Sequence, residues 1–248
     1  TTTFVINQPA PLTSTIVASS NVSCFGGNNG TATVSVSGGT PFYNYSWMPF
    51  GGNGPTAVNL SAGTYTVTVW DQNNCSSSIT INISQPLSVL SSSVTATSNP
   101  NCFGGTGSAT VLATGGTIPY FYSWSTTPVQ TASTATLPAG SFTVITTDVN
   151  GCTSTNSVII TQPTQVITTA GPNDTICLVP SLVTLTAGAS GGTGSYSYLW
   201  QPSGISNSGT LNITPSTSTT YTVVAYDQNG CPGIPDTISA IVYSLAPA

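Results

Sequence analysis

Three tryptophans, Trp47, Trp124 and Trp200, stand 77 and 76 residues apart, and each ends the same passage: GGTPFYNYSW, GGTIPYFYSW and GGTGSYSYLW. A second block follows each one (GTYTVTVWDQNNC, GSFTVITTDVNGC, TTYTVVAYDQNGC), so that Asp71, Asp148 and Asp227, and Cys75, Cys152 and Cys231, recur at steps of 77 and 79. An earlier set of cysteines, Cys24, Cys102 and Cys177, steps by 78 and 75. A chain of 248 residues that repeats itself three times is a series of small units, not one large core. Gln-Pro closes the alternating segments at Gln8/Pro9, Gln85/Pro86 and Gln162/Pro163, which sets repeats at residues 10–86, 87–163 and 164–248. Residues 1–9 then read as the terminal strand of a preceding repeat, and a chain opening on Thr1 reads as an internal piece of a longer or processed protein.

Within a repeat the apolar period is two. Ala32, Val34 and Val36 alternate with Thr and Ser; Tyr43, Tyr45 and Trp47 share one face, as do Tyr65, Val67 and Val69. That is the pattern of strands with one buried face. GGNNG, GGNGP and DQNN between the strands supply turn chemistry: positive φ from Gly and Asn, and side-chain capping from Asp. No stretch has helix-former composition. The expectation is all-β, a tandem array of three small immunoglobulin-like antiparallel β-sandwich repeats.

Composition removes most chemistry. The chain has no Lys, Arg or His, and five acidic residues give it a net charge of −5. Nucleic-acid binding needs cations to displace phosphate counterions, so it is excluded. A Ser-His-Asp or Cys-His arrangement is impossible, and five scattered Asp are poor material for acid–base work, so no enzyme and no cofactor is expected. No run approaches the roughly 18 apolar residues of a membrane span, so no membrane insertion is expected. The charged residues are too few for disorder in a chain that is 38% hydrophobic.

Small units bury little, so a staple is expected. Repeat symmetry favours one disulfide inside each repeat: Cys24 with Cys75, Cys102 with Cys152, Cys177 with Cys231. The rival joins neighbours across the linker, Cys75 with Cys102 and Cys152 with Cys177, leaving Cys24 and Cys231 for flanking units. Either arrangement implies an oxidising, extracellular compartment. Zinc ligand pairs of the C-x2-C kind are absent.

The pattern C-F-G-G-x-x-G, then G-G-T-x-x-Y-x-Y-x-W, then A-G-[TS]-[YF]-T-V, then D-x-[ND]-[GN]-C and Q-P resembles the SprB-type repeat of surface adhesins in gliding Bacteroidota. The resemblance covers residues 12–163. The third repeat departs from it, with CLVP in place of CFGG and no closing Gln-Pro, and resembles a PKD-like immunoglobulin-type module. The family implies export by the type 9 secretion route, display on the cell surface, and adhesion and gliding.

Several residues are candidates for sites. Asp71, Asp148 and Asp227 read as turn caps in preference to calcium ligands, because calcium asks for six to eight oxygens and usually several carboxylates. The Y-x-Y-x-W triplets read as core in preference to sugar-stacking platforms. Met48, Phe50 and Trp70 do not recur in the other repeats, so they are candidates for ligand contact or for a joint between repeats. Asp174-Thr175-Ile176 and Asp236-Thr237-Ile238 resemble the short Bacteroidota acceptor for O-linked glycans, at Thr175 and Thr237.

The expected function is structural and adhesive: a segment of a long cell-surface filament, partnered by neighbouring repeats of the same polypeptide or fibre, with surface polysaccharide as a possible contact. Two alternatives stand beside it. One is a fibre subunit whose residues 1–9 complete a neighbouring chain's sheet; the other is a set of carbohydrate-binding modules on a secreted enzyme. Repeats stacked pole to pole would make an elongated particle.

Overall fold

The computed structural model describes residues 8–177, 181–206 and 208–243. The terminal strand expected at residues 1–9 falls outside them, apart from Gln8 and Pro9. Among the described residues every regular element is a strand. The first repeat holds β1 (Thr13–Ser20), β2 (Gly30–Ser37), β3 (Asn44–Met48), β4 (Thr56–Leu60), β5 (Gly63–Trp70) and β6 (Ser76–Ile83). They form two three-stranded antiparallel sheets, ordered β1-β2-β4 and β3-β5-β6. The second repeat gives β7 (Ser91–Ser98), β8 (Thr106–Thr114), β9 (Tyr120–Trp124), β10 (Thr134–Pro138), β11 (Gly140–Asp148) and β12 (Thr153–Ile160), with the matching orders β7-β8-β10 and β9-β11-β12.

The third repeat is more elaborate. It contains β13 (Ile167–Ala170), β14 (Asp174–Ile176), β15 (Val183–Ser190), β16 (Ser197–Gln201), β17 (Gly204–Ser206), β18 (Thr210–Ile213), β19 (Thr219–Tyr226) and β20 (Asp236–Val242). One sheet runs β13-β15-β18 and the other β14-β20-β19-β16-β17, in which β14 lies parallel to β20.

Alternation decides which side chains are buried. In β5, Tyr65, Val67 and Val69 point inward while the intervening threonines face out. They join Ala32 and Val34 of β2, Trp47 of β3, Leu60 of β4 and Ile83 of β6 in one cluster filled from both sheets, which makes this repeat a sandwich. The corresponding cluster of the third repeat is built on Val183, Leu185, Trp200, Val223, Ala225 and Ile238. At roughly 1.5–3 kcal/mol for each fully buried large apolar side chain, a core of this size leaves little margin over conformational entropy. The outer faces carry neutral hydroxyl pairs across strands, such as Thr33 with Thr56 at 3.0 Å, Thr68 with Ser78 at 3.0 Å and Thr220 with Ser239 at 2.9 Å. Such pairs contribute about 0.2–1 kcal/mol each and do so without charge.

The chain divides into two compact units. One comprises the described part of Thr1–Thr95 with Val111–Ser133 and Thr143–Ser157; the other comprises Ala96–Thr110, Thr134–Phe142 and the described part of Val158–Ala248. Each unit contains one disulfide.

Those disulfides correct the expectation of one bond inside each repeat. Cys24 is bonded to Cys152 and Cys102 to Cys231, across 128 and 129 residues, while Cys75 and Cys177 are free and exposed. The cross-linker rival, Cys75 with Cys102 and Cys152 with Cys177, is not formed either. The reason lies in strand direction. In the first repeat Cys75 immediately precedes β6, but the Cys24 turn is tied to the other end of that strand: Val22 N–H donates to Ser84 O at 2.9 Å and Gly26 N–H to Gln85 Oε1 at 2.8 Å. An eight-residue strand spans roughly 26 Å. A disulfide tolerates Cα atoms at most about 7 Å apart. The third repeat repeats the geometry: Tyr243 N–H, just past β20, donates to Ile176 O beside Cys177, whereas Cys231 lies before β20. The two cysteines of one repeat are therefore at opposite ends of its last strand, and each bond forms with a neighbouring repeat instead.

Candidate functional site

One buried aspartate in each repeat organises the turn that carries the second cysteine. Asp71 Oδ2 accepts from Thr40 N–H, and its Oδ1 accepts from Asn73 N–H and Cys75 N–H, all at 2.9 Å. Asp148 does the same with Thr117, Asn150 and Cys152, and Asp227 with Thr193, Asn229 and Cys231, again all at 2.9 Å. With no Lys, Arg or His in the chain, these carboxylates are held chiefly by backbone amides. The Thr40 N–H holds the Asp71 carboxyl below its usual range, against desolvation, with help from the Cys75 and Asn73 amides. The aspartates thus cap turns.

The Gly-Gly-Thr motif is the other half of this arrangement. Gly39, Gly116 and Gly192 have φ of +65°, +56° and +62°, and a Cβ there would lie 2.8, 2.6 and 2.7 Å from the aspartate Oδ2. Only glycine permits both the conformation and the approach. The following threonine can then present its N–H to the carboxylate. Motifs 31 to 34 residues apart in sequence are one site.

Onto two of these sites a first cysteine is bonded. At Cys24–Cys152, Asn150 Nδ2 donates to Ser23 O at 3.2 Å and to Thr117 Oγ1 at 3.0 Å, and Phe25 lines a cavity with Val89, Leu90 and Gly116. At Cys102–Cys231, Asn229 Nδ2 donates to Asn101 O at 3.4 Å, and Phe103 lines a cavity with Gln165, Val166 and Gly192. The C-F-G-G turn itself is clamped by the closing Gln-Pro. Gln85 Oε1 accepts from Gly26 N–H and Gln162 Oε1 from Gly104 N–H, both at 2.8 Å.

The Y-x-Y-x-W triplets grade from rim to core. Trp47, Trp124 and Trp200 are buried, Tyr198 is nearly so, and the remaining tyrosines are half-buried. Tyr43, Tyr120 and Tyr196 donate their hydroxyls to the carbonyls of Gly38, Gly115 and Gly191, at 2.7, 2.6 and 2.6 Å, which fastens the Gly-Gly turn. Trp47 Nε1 donates to Gly54 O and Trp124 Nε1 to Ala132 O. Trp200 Nε1 is buried with no partner among the described residues.

Met48 is exposed, Phe50 sets its ring edge-on to Tyr65 at 5.2 Å, and Trp70 is half-buried. Met48 pairs with Thr66 and Trp70 with Asn44, so Met48 and Trp70 lie at opposite ends of the β3–β5 pair and share no patch. Thr175 and Thr237 are exposed on β14 and β20, each donating its N–H to the aspartate before it at 2.8 Å. Asp236 also accepts from Ala170 N–H, and these two amides, Ala170 first, hold its carboxyl below the usual range. Sequence reasoning missed Asn73, Asn150 and Asn229 as contact residues. Their signal was present in the recurring Asp-x-Asn before each second cysteine.

No curated protein matches the chain. Among solved structures it is similar to fibronectin(III)-like modules of Clostridium thermocellum CbhA, at 13% identity over 62% of this chain and 94% of that one, with a TM-score of 0.31. It is also similar to the N-terminal eight immunoglobulin domains of Down Syndrome Cell Adhesion Molecule, at 16% identity over 96% of this chain and 36% of that one, TM-score 0.35. A third similarity is to titin domains I67–I69, at 14% identity over 89% and 94%, TM-score 0.36. The model of the SprB repeat matches residues 16–55 and 94–128, spanning the C-F-G-G turns and the Y-x-Y-x-W strands, and so the first and second repeats are both similar to the SprB repeat.

Proposed function

We propose that the chain is a non-enzymatic structural segment of an extracellular, surface-displayed adhesin-like protein, built of immunoglobulin-like repeats that serve as covalently joined spacers. The observation that carries this reading is the pair of disulfides that run from one repeat to the next, Cys24 to Cys152 and Cys102 to Cys231. A bond placed there ties neighbouring repeats to one another when the chain is pulled. It also requires an oxidising compartment. Outer faces of paired hydroxyls suit a surface that stays hydrated in any salt. Similarity to the SprB repeat adds type 9 export and a part in gliding to the proposal. In this reading Met48, Phe50 and Trp70 would make contact with surface polysaccharide, and Thr175 and Thr237 would carry glycans; exposure of Met48, Phe50, Thr175 and Thr237 supports it.

The test is labelling of intact producing cells with antibody raised against the folded chain, alongside attachment assays of cells in which the segment is deleted. Surface labelling with reduced attachment supports the reading. Labelling seen only after lysis contradicts it.

A further inference from the structure

Each disulfide joins the first cysteine of one repeat to the second cysteine of the next, and the two receiving sites are built alike. At Cys152 the incoming turn is Cys24-Phe25-Gly26-Gly27: Asn150 Nδ2 donates to Ser23 O at 3.2 Å, and Phe25 shares a cavity with Leu90, which is 6% exposed. At Cys231 the incoming turn is Cys102-Phe103-Gly104-Gly105: Asn229 Nδ2 donates to Asn101 O at 3.4 Å, and Phe103 shares a cavity with Val166, which is 2% exposed. Cys75 stands on the same framework. Asp71 accepts from the Thr40, Asn73 and Cys75 amides, and Asn73 Nδ2 donates to Thr40 Oγ1 at 2.8 Å as Asn150 Nδ2 does to Thr117 Oγ1. Leu12 stands beside Gly39 as Leu90 does beside Gly116 and Val166 beside Gly192. Three features differ. Cys75 is an exposed thiol, Leu12 is only half-buried, and among the described residues no carbonyl accepts from Asn73 Nδ2.

We propose that Cys75, Asn73 and Leu12 form a docking site for a Cys-Phe-Gly-Gly turn supplied by the repeat that precedes residues 10–86 in the longer polypeptide. The occupant follows from continuity with the two bonded junctions, in both of which a second cysteine takes the first cysteine of the repeat before it. Gln8-Pro9 supports the same source. That dipeptide at Gln85 and Gln162 holds the Cys24 and Cys102 turns through the Gly26 and Gly104 amides, so its copy ahead of the first repeat marks one more such turn. The turn brings a thiol for Cys75, a ring to cover Leu12 and a carbonyl for Asn73. Bond formation needs a two-electron oxidant, for which a small disulfide such as oxidised glutathione suffices. The Cys75 thiolate attacks glutathione disulfide and releases one glutathione thiolate; the thiolate of the incoming turn then displaces the other. Two protein thiols lose two protons and two electrons, and one glutathione disulfide becomes two thiols. The inference rests on the chain being a segment of a longer protein and deepens that reading by naming what its free junction receives.

Two measurements test it. In the first, the C177S variant of the full chain, which keeps Cys75 as its free thiol, is equilibrated in a glutathione redox buffer with the synthetic peptide NVSCFGGNNG, the sequence of residues 21–30. Mixed disulfides are trapped with acid and quantified by mass spectrometry. Cys75 is expected to hold this peptide about tenfold better than a peptide carrying Phe25→Ala, through burial of the ring against Leu12. Asn73→Ala in the chain should weaken capture about three- to tenfold, the worth of one hydrogen bond. The C75S variant, which keeps Cys177, should hold the two peptides equally. Equal capture of both peptides at Cys75, capture unchanged by Asn73→Ala, or the same preference at Cys177 would each overturn the inference. In the second, the whole polypeptide is taken from producing cells into acid with its thiols blocked, and digested with pepsin without reduction. Cys75 is expected to be linked to a Cys-Phe-Gly-Gly peptide from the part of the polypeptide ahead of Thr1; any other partner, or a blocked thiol, would overturn the inference. Neither readout depends on where the protein is displayed, so failure here is distinguishable from failed labelling of cells.

Discussion

Cys24 is bonded to Cys152 and not to Cys75, although Cys75 is the nearer in sequence and belongs to the same repeat. The second bond, Cys102 to Cys231, overlaps the first. A chain pulled from its ends would therefore pass through both bonds. Its shortest covalent path is 24 residues to Cys24, the 50 between Cys152 and Cys102 traversed backwards, and 17 after Cys231, 91 of the 248 residues. At about 3.5 Å per residue, full extension of the oxidised chain should reach roughly 320 Å, and that of the reduced chain roughly 870 Å. Single-molecule pulling with and without reductant measures both lengths; equal lengths would contradict the interlocked arrangement.

Loss of one bond should weaken the fold by about 2–5 kcal/mol. A closed loop of this length contributes about 5 kcal/mol in the chain-entropy model, and strain or residual unfolded structure reduces the yield. Denaturant unfolding of Cys152→Ser against wild type checks this. Since Cys102–Cys231 survives in that variant, its unfolding should show a weakened first unit beside a second unit still bonded.

The aspartate turn should be intolerant of small changes. Asn at position 148 offers one neutral carbonyl in place of a carboxylate that accepts three amide hydrogens, and Asp148→Asn should cost about 2–3 kcal/mol. Gly116→Ala should be destabilising by more than about 1 kcal/mol, because it forces a β-carbon into a positive-φ position against Oδ2. Urea midpoints of the two variants are the measurement.

Stability should be flat from neutral pH down to about pH 5 and should fall below about pH 4. Asp71 and Asp236 have carboxyl groups held below the unfolded value of about 3.9 by backbone amides. Below that value the unfolded chain binds more protons than the folded one, so stability is lost as pH drops through the folded values. Thermal unfolding across pH 7 to 2 tests this, and a rise in stability on acidification would contradict it. Salt should have little effect at neutral pH, since the chain has no Lys, Arg or His side chains to form ion pairs.

Strand content and the inward faces were legible because alternation is local: Tyr65, Val67 and Val69 are buried as their spacing requires. Cysteine pairing was not legible, because symmetry alone relates Cys75, Cys152 and Cys231 without saying which neighbour each meets. That depends on where the Cys24 turn sits along β6, and the deciding contact, Gln85 on Gly26, bridges 59 residues. The Gln-Pro motif was visible as a punctuation mark, while its role as a clamp needed the fold. The extra strands of the third repeat, β14 and β17, are short, at three residues each, and left no periodic signature.

Disulfide mapping tests the central claim most directly. The chain has no trypsin sites, so peptic digestion at low pH, which also suppresses thiol exchange, is the suitable route. Mass spectrometry of the unreduced digest should find Cys24 linked to Cys152 and Cys102 linked to Cys231, with Cys75 and Cys177 alkylated in the monomer. Peptides linking Cys24 to Cys75, or Cys102 to Cys152, would contradict a chain whose repeats are bonded to one another.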